Sequence, residues 1–291
     1  MSDEKRTDPV TGLETTGHTW DGIEELNTPL PRWWLWVFYG CIVWGIIYVI
    51  LFPAWPLVTG ATGGVLGWST RGQVADEIAA VDEANAPMYA ALVDTDPAEI
   101  EADPNLHGFA VNAGASIFAT YCSQCHGSGA AGAVGYPNLL DDDWLWGGTL
   151  EDVIYTVNHG IRNEDDPDAR WSQMPAFGEL LTAGEISTLV AHVQAMGEGT
   201  DPLSGEGGQI YADNCASCHG DDGTGDRFVG APNLVDAIWL YGGDTATLTE
   251  TIRNARFGVM PPWGERLDEA EVRAVAIYVH GLGGGEQPAA E

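Results

Sequence analysis

The chain has 291 residues, enough for about two domains, and carries 43 acidic against 11 basic residues for a formal charge of −32. That balance excludes a nucleic-acid binder working through a basic face, because phosphate contacts need Lys and Arg to displace counterions. The 38 Gly and 16 Pro predict a loop-rich fold, 12 Trp and 45% apolar residues supply a core and exclude general disorder, and five Cys are too few for a disulfide scaffold.

Residues 1–32 form a polar N-terminal segment. From Trp33 to Phe52 the run WWLWVFYGCIVWGIIYVILF has no charge, and at roughly 1.5 Å per residue it covers the ~30 Å of bilayer hydrocarbon. A transmembrane helix over 33–52 is therefore expected, with Trp33, Trp34 and Trp55 at the interfaces and Pro53 and Pro56 ending it. The run is longer than a cleaved signal's apolar core and starts later, which predicts an uncleaved signal anchor. Lys5, Arg6 and Arg32 before the span, against Arg71 just after it, place the N-terminus on the cytoplasmic side. Cys41, inside the span, is read as a small packing residue.

Residues 53–110 are expected to be a helical and acidic linker, with a helix over Gln73–Leu92 and an exposed connector from Asp94 to Gly108. Beyond it the chain repeats itself. The first copy reads IFATYCSQCHG, YPNLL, DWLWGG, MPAFG and EISTLVAHVQAMG; the second reads IYADNCASCHG, APNLV, IWLYGG, MPPWG and AEVRAVAIYVHGLG. Two modules follow, 111–198 and 199–285, with a tail at 286–291. Helices are expected over Gly114–Tyr121, Leu150–Val157, Ile186–Met196, Gly208–Asn214, Leu248–Ile252 and Val272–Leu282. Strand signals are weak, so the class is all-α with long loops.

Cys122-Ser-Gln-Cys125-His126 and Cys215-Ala-Ser-Cys218-His219 each put two thiols within one turn and an imidazole after the second. This spacing lets both sulfurs add to the vinyl groups of one haem while the histidine lies under the iron. A thioredoxin-like pair or half a zinc site needs no following His. Two covalently bound haem c groups are thus expected. The second axial ligand is assigned to Met174 in the first copy and Met260 in the second, each in a Met-Pro-x-aromatic-Gly loop. His159 is the rival to Met174 and has no counterpart in the second copy. Pro137-Asn138-Leu139 and Pro232-Asn233-Leu234 are expected to supply the carbonyl that accepts from each ligating histidine. Trp144, Trp239, Arg162, Arg253 and Arg256 are candidates for packing on haem or pairing with its carboxylates. His107, His192 and His280 are read as exposed.

These motifs resemble tandem class I cytochrome c modules. With the single anchor and the phrase TGHTWDGIEELNTPLPRWW (Thr16–Trp34), the chain resembles the diheme subunit of cbb3-type cytochrome c oxidases, the CcoP/FixP group, along nearly all of its length. The resemblance implies a non-catalytic electron-transfer subunit of a bacterial inner-membrane complex. Its partners would be a haem-copper catalytic subunit, a monohaem cytochrome c subunit, and a donor cytochrome c or cytochrome bc1 complex. It also implies haem modules in the periplasm, where c-haem attachment takes place, with Cys122, Cys125, His126 and Met174 on one haem and Cys215, Cys218, His219 and Met260 on the other. The alternatives are the cytochrome subunit of another membrane dehydrogenase or reductase, or a diheme peroxidase, which two Met loops disfavour. From Gly72 onward 36 acidic residues face seven arginines, a field able to steer a cationic donor or simply to keep the protein soluble.

Overall fold

The computed structural model describes residues 6–287 and divides into two compact units, 1–83 and 84–291. The first unit opens with a small antiparallel hairpin, β1 (Thr15–Trp20) and β2 (Ile23–Leu26). Sequence periodicity had given no strand here. The signal was the Asp21-Gly22 pair, whose positive φ angles of 48° and 85° make the tight turn that hairpins favour. Helix α1 (Arg32–Leu51) follows, 20 residues long and with no buried residue. It starts after Pro31 and ends at Phe52, because Pro53 cannot continue the ladder.

Helix α2 (Thr70–Asp94) reaches into the second unit, where Leu92 is fully buried. Its last carbonyls are satisfied by Arg273, whose Nη1 donates to Leu92 O and Thr95 O, each at 2.9 Å. The segment expected to be an exposed connector is instead packed. It holds α3 (Pro97–Ile100) and the start of α4 (Pro104–Ile117), and Ile100 and Leu106 belong to the core. Asp96 and Asp103 cap these helices, each followed by Pro at the first helical position, so the Asp-Pro pairs mark starts and not breaks.

A turn of π-helix (Phe118–Cys122) leads from α4 into α5 (Ser123–His126). Then come α6 (Leu150–His159), a 3₁₀ turn (Phe177–Glu179), α7 (Ala183–Met196), α8 (Gly205–Asn214), α9 (Ala216–His219), α10 (Thr245–Asn254) and α11 (Glu269–His280). Helices α7 and α11 each begin with a capping box, Thr182/Glu185 and Asp268/Glu271.

Two cores result, and their membership crosses the repeat. The first is built from α4, α6 and the end of α2, closed by α11 from the second copy. The second is built from α8 and α10, closed by α7 from the first copy. Equivalent glycines fix both closures. Gly114 and Gly207 lie at the same repeat position before their cysteines; a Cβ on Gly114 would overlap the Ala274 carbonyl of α11, and one on Gly207 would overlap the His192 side chain of α7. His192 is accordingly buried, with Nε2 2.8 Å from Pro202 O, contrary to its expected exposure, and His280 is half-buried, with Nε2 2.9 Å from Glu286 O. His107 is half-buried as well.

Candidate haem sites

In the first lobe the α4–α5 corner sets Cys122 and Cys125 one turn apart, with His126 directly after. Phe118, fully buried, anchors that corner; at the equivalent place in the second lobe stands Tyr211, whose hydroxyl donates to Gly220 O at 2.6 Å. The His126 Nδ1 lies 3.0 Å from Pro137 O, and the His219 Nδ1 lies 3.0 Å from Pro232 O. A carbonyl only accepts, so each Nδ1 carries the proton and each Nε2 presents its lone pair for a metal. The expected role of both Pro-Asn-Leu loops is thus the observed one. Burial lowers the pKa of both histidines, opposed by the bond to the proline carbonyl, which favours neutral, ligating imidazole.

All four motif cysteines are free, Cys122 and Cys215 half-buried and Cys125 and Cys218 exposed. Burial, aided by the neighbouring thiol, pushes Cys122 and Cys215 up to about 11. A dithiol working by exchange needs the opposite shift, so the environment does not suit a redox pair.

Each methionine loop lies against the lobe that its own helix closes. Met260 pairs with the end of α6 through Ile161 N to Met260 O (2.9 Å) and Met260 N to Ile161 O (3.0 Å), and Trp263 N donates to Val157 O at 3.0 Å. It packs against the core that carries Cys122. Gly160, at φ +71°, makes this approach, since a Cβ there would strike the Met260 carbonyl. Met174 packs against the core that carries Cys215, and the turn after it lies on α10, with Gly178 against Arg253. Chain order had put Met174 with His126 and Met260 with His219; the packing sets Met260 in the lobe of His126 and Met174 in the lobe of His219. Both ring nitrogens of His159 are engaged, Nδ1 2.9 Å from Asp166 Oδ2 and Nε2 3.0 Å from Asn158 Nδ2, and the ring leans on Tyr155.

Sequence reasoning missed two residues. Trp146, 6% exposed, and Arg170 hold buried N–H groups, Nε1 and Nε, without a hydrogen-bond partner among the described residues. Arg162 and Arg170 both lie over the Trp146 ring, at 5.7 and 5.8 Å from its centroid. Trp146 meets Gly230 of the second copy, while its repeat counterpart Tyr241 meets Gly135 of the first and carries Arg256 over its ring. Orphaned donors among arginines in a chain of −32 suit an anionic group. A porphyrin's carboxylate side chains supply one, so the residues fit haem c. Of the other candidates, Trp144 donates through Nε1 to Gly284 O at 2.7 Å and Trp239 packs in the second core. No residue name announces these partnerships in the sequence.

Two Nε2-presenting histidines, each behind a cysteine pair whose lobe also holds a methionine loop, on a chain with one helix among the described residues apolar and long enough to cross a membrane, define the pattern of a c-type cytochrome. Family models agree: residues 12–59 match the N-terminal domain of cytochrome oxidase-cbb3, FixP, and residues 109–193 and 204–279 match cytochrome c oxidase, cbb3-type, subunit III. The chain belongs to the family of cbb3-type cytochrome c oxidase subunit III. It is 63% identical to the cbb3-type cytochrome c oxidase subunit CcoP of Cereibacter sphaeroides, over 94% of this chain and 95% of that protein. It is 49% identical to the subunit FixP of Sinorhizobium medicae, over 98% of this chain and all of that protein, and 53% identical to CcoP of Rhodobacter capsulatus, over 94% and 97%.

Proposed function

We propose that this chain carries two covalent haem c groups and relays electrons from a donor cytochrome c or a cytochrome bc1 complex to the haem-copper catalytic subunit of a cbb3-type oxidase, with the monohaem cytochrome subunit alongside. One observation carries the reading: the duplicated histidine whose Nδ1 is tied to a proline carbonyl, which leaves each Nε2 lone pair free to bind a metal. Haem, when bound, supplies a reversible one-electron couple. The chain does the rest. Cys122 and Cys125, and Cys215 and Cys218, hold the group. His126 and His219 would supply a nitrogen ligand each, and Met260 and Met174 a thioether each, in that crossed order. A histidine and a methionine together would leave no ligand position for oxygen or peroxide, so the chain would conduct electrons and not catalyse. Trp146 and Arg170 offer their unpartnered N–H groups to carboxylate side chains. In the cell the N-terminus lies in the cytoplasm of a bacterium, α1 spans the inner membrane, and both lobes stand in the periplasm.

The number of haems is tested by intact mass and by the pyridine haemochrome of the purified chain, with two haems per chain expected and one or none refuting it. The crossing is tested in single-haem chains. With Cys215→Ala and Cys218→Ala in place, Met260→Leu is expected to abolish the Met–iron charge-transfer band and Met174→Leu to spare it. The complementary Cys122→Ala, Cys125→Ala chain gives the reverse. Loss in chain order instead would restore the uncrossed pairing.

A further inference from the structure

The N-terminal hairpin has no task in holding or wiring haem, yet it ends in two large apolar side chains. Trp20 and Ile23 stand directly opposite each other across the Asp21-Gly22 turn and are 69% and 72% exposed. A two-stranded hairpin is marginal by itself, and an exposed apolar pair at its tip marks a contact surface. Its charge is one-sided. Between Thr7 and Pro31 the chain has Asp8, Glu14, Asp21, Glu24 and Glu25 and no Lys or Arg, with His18 on β1; Arg6, 3.9 Å from Glu24, is the only Lys or Arg described before Arg32. Asn27–Pro31 joins the hairpin to α1, and at ~3.5 Å per residue this linker keeps its base within about 18 Å of the start of the span.

We propose that this hairpin docks, tip first, onto a cationic and apolar-lined surface at the cytoplasmic face of a multi-span subunit of the same oxidase complex. The inference rests on the topology and complex membership proposed above. Two surfaces lie within the tether's reach. The cytoplasmic leaflet is negatively charged and repels a hairpin whose five carboxylates outnumber its one arginine. The cytoplasmic loops of a multi-span protein are enriched in Lys and Arg, and so complement five carboxylates while an apolar slot takes Trp20 and Ile23. Charge thereby selects protein over lipid, and the tip pair gives the contact its hydrophobic centre.

The test uses Ile23→Cys in the full chain in its own membranes. Cys41 lies in the span, and the four motif cysteines are consumed by attachment. A water-soluble, membrane-impermeant maleimide is expected to leave intact cells unlabelled. In inside-out vesicles it is expected to react several-fold more slowly with the assembled complex than with the detergent-isolated chain. A benzophenone maleimide attached at this position should photocrosslink to a second polypeptide, through a peptide containing Lys or Arg. Equal labelling rates in complex and isolated chain, or adducts with lipid alone, overturn the docking while leaving the topology intact. Labelling in intact cells overturns the topology and the inference with it.

Discussion

At the scale of single residues, the site is a set of bonds that leave one atom free. Both Nδ1–proline carbonyl contacts could be anticipated, because a metal-bound histidine needs an orienting acceptor and a Pro-Asn-Leu loop recurred at the right distance. The roles of Trp146 and Arg170 could not, because what distinguishes them is a buried N–H without a partner, a property of packing and not of residue type. Trp146→Phe keeps the ring's bulk and removes that donor. Less neutralised carboxylate charge favours ferric iron, so the potential of one haem is expected to fall while both stay attached; a redox titration followed by visible absorption reads this, and unchanged potentials would deny the contact. Asp143 offers a pH test. Burial, then Asp236, Asp141 and Asp142, raise it from 3.8 to about 6. A raised folded-state pKa means that its protonated form supports the fold below 3.8, and that this support is lost as pH climbs through about 6. Because the group is half-exposed and water-screened, the effect is on the order of 1 kcal/mol. Asp143→Asn is expected to flatten the decline in thermal stability between pH 4 and pH 7 by about that much, measured by circular dichroism.

Among the elements, the long helices announced themselves through apolar spacing and caps, and α7, α10 and α11 begin within a few residues of their expected starts. The misread stretches share one cause: local composition spoke louder than geometry. A run of carboxylates around Asp94–Gly108 suggested solvent, yet Ile100 and Leu106 are buried there, and two of the acids, Asp96 and Asp103, serve as caps. The hairpin was hidden among threonines and glutamates with no apolar alternation, so only its turn was visible. The α4–α11 crossing depends on Gly114 having no side chain. Gly114→Ala pushes a methyl into the Ala274 carbonyl and is expected to cost roughly 1–3 kcal/mol, seen as a lower unfolding midpoint in urea. An unchanged midpoint would show that the two helices can slide apart.

For the molecule as a whole, the repeat was legible and the exchange of its closing helices was not. Periodicity reveals which face of α7 or α11 is apolar, but two homologous lobes offer that face two equivalent berths, and only the three-dimensional packing chooses. The charge field belongs to this scale too. With 36 acids against seven arginines beyond Gly72, reduction by a basic donor cytochrome is expected to slow steeply as ionic strength rises, in stopped-flow measurements. A flat response would assign the acidity to solubility alone.

The exchanged helices also set a timetable for making the protein. A chain is synthesised and emerges from its N-terminus, yet the earlier lobe is shut by α11, which lies in the second copy, and by the Met260 loop just before it. Until α11 has been translated, the first cysteine pair therefore stays in an open lobe. A message cut short before Glu269 would strand the earlier lobe half-built, although every one of its own codons had been read.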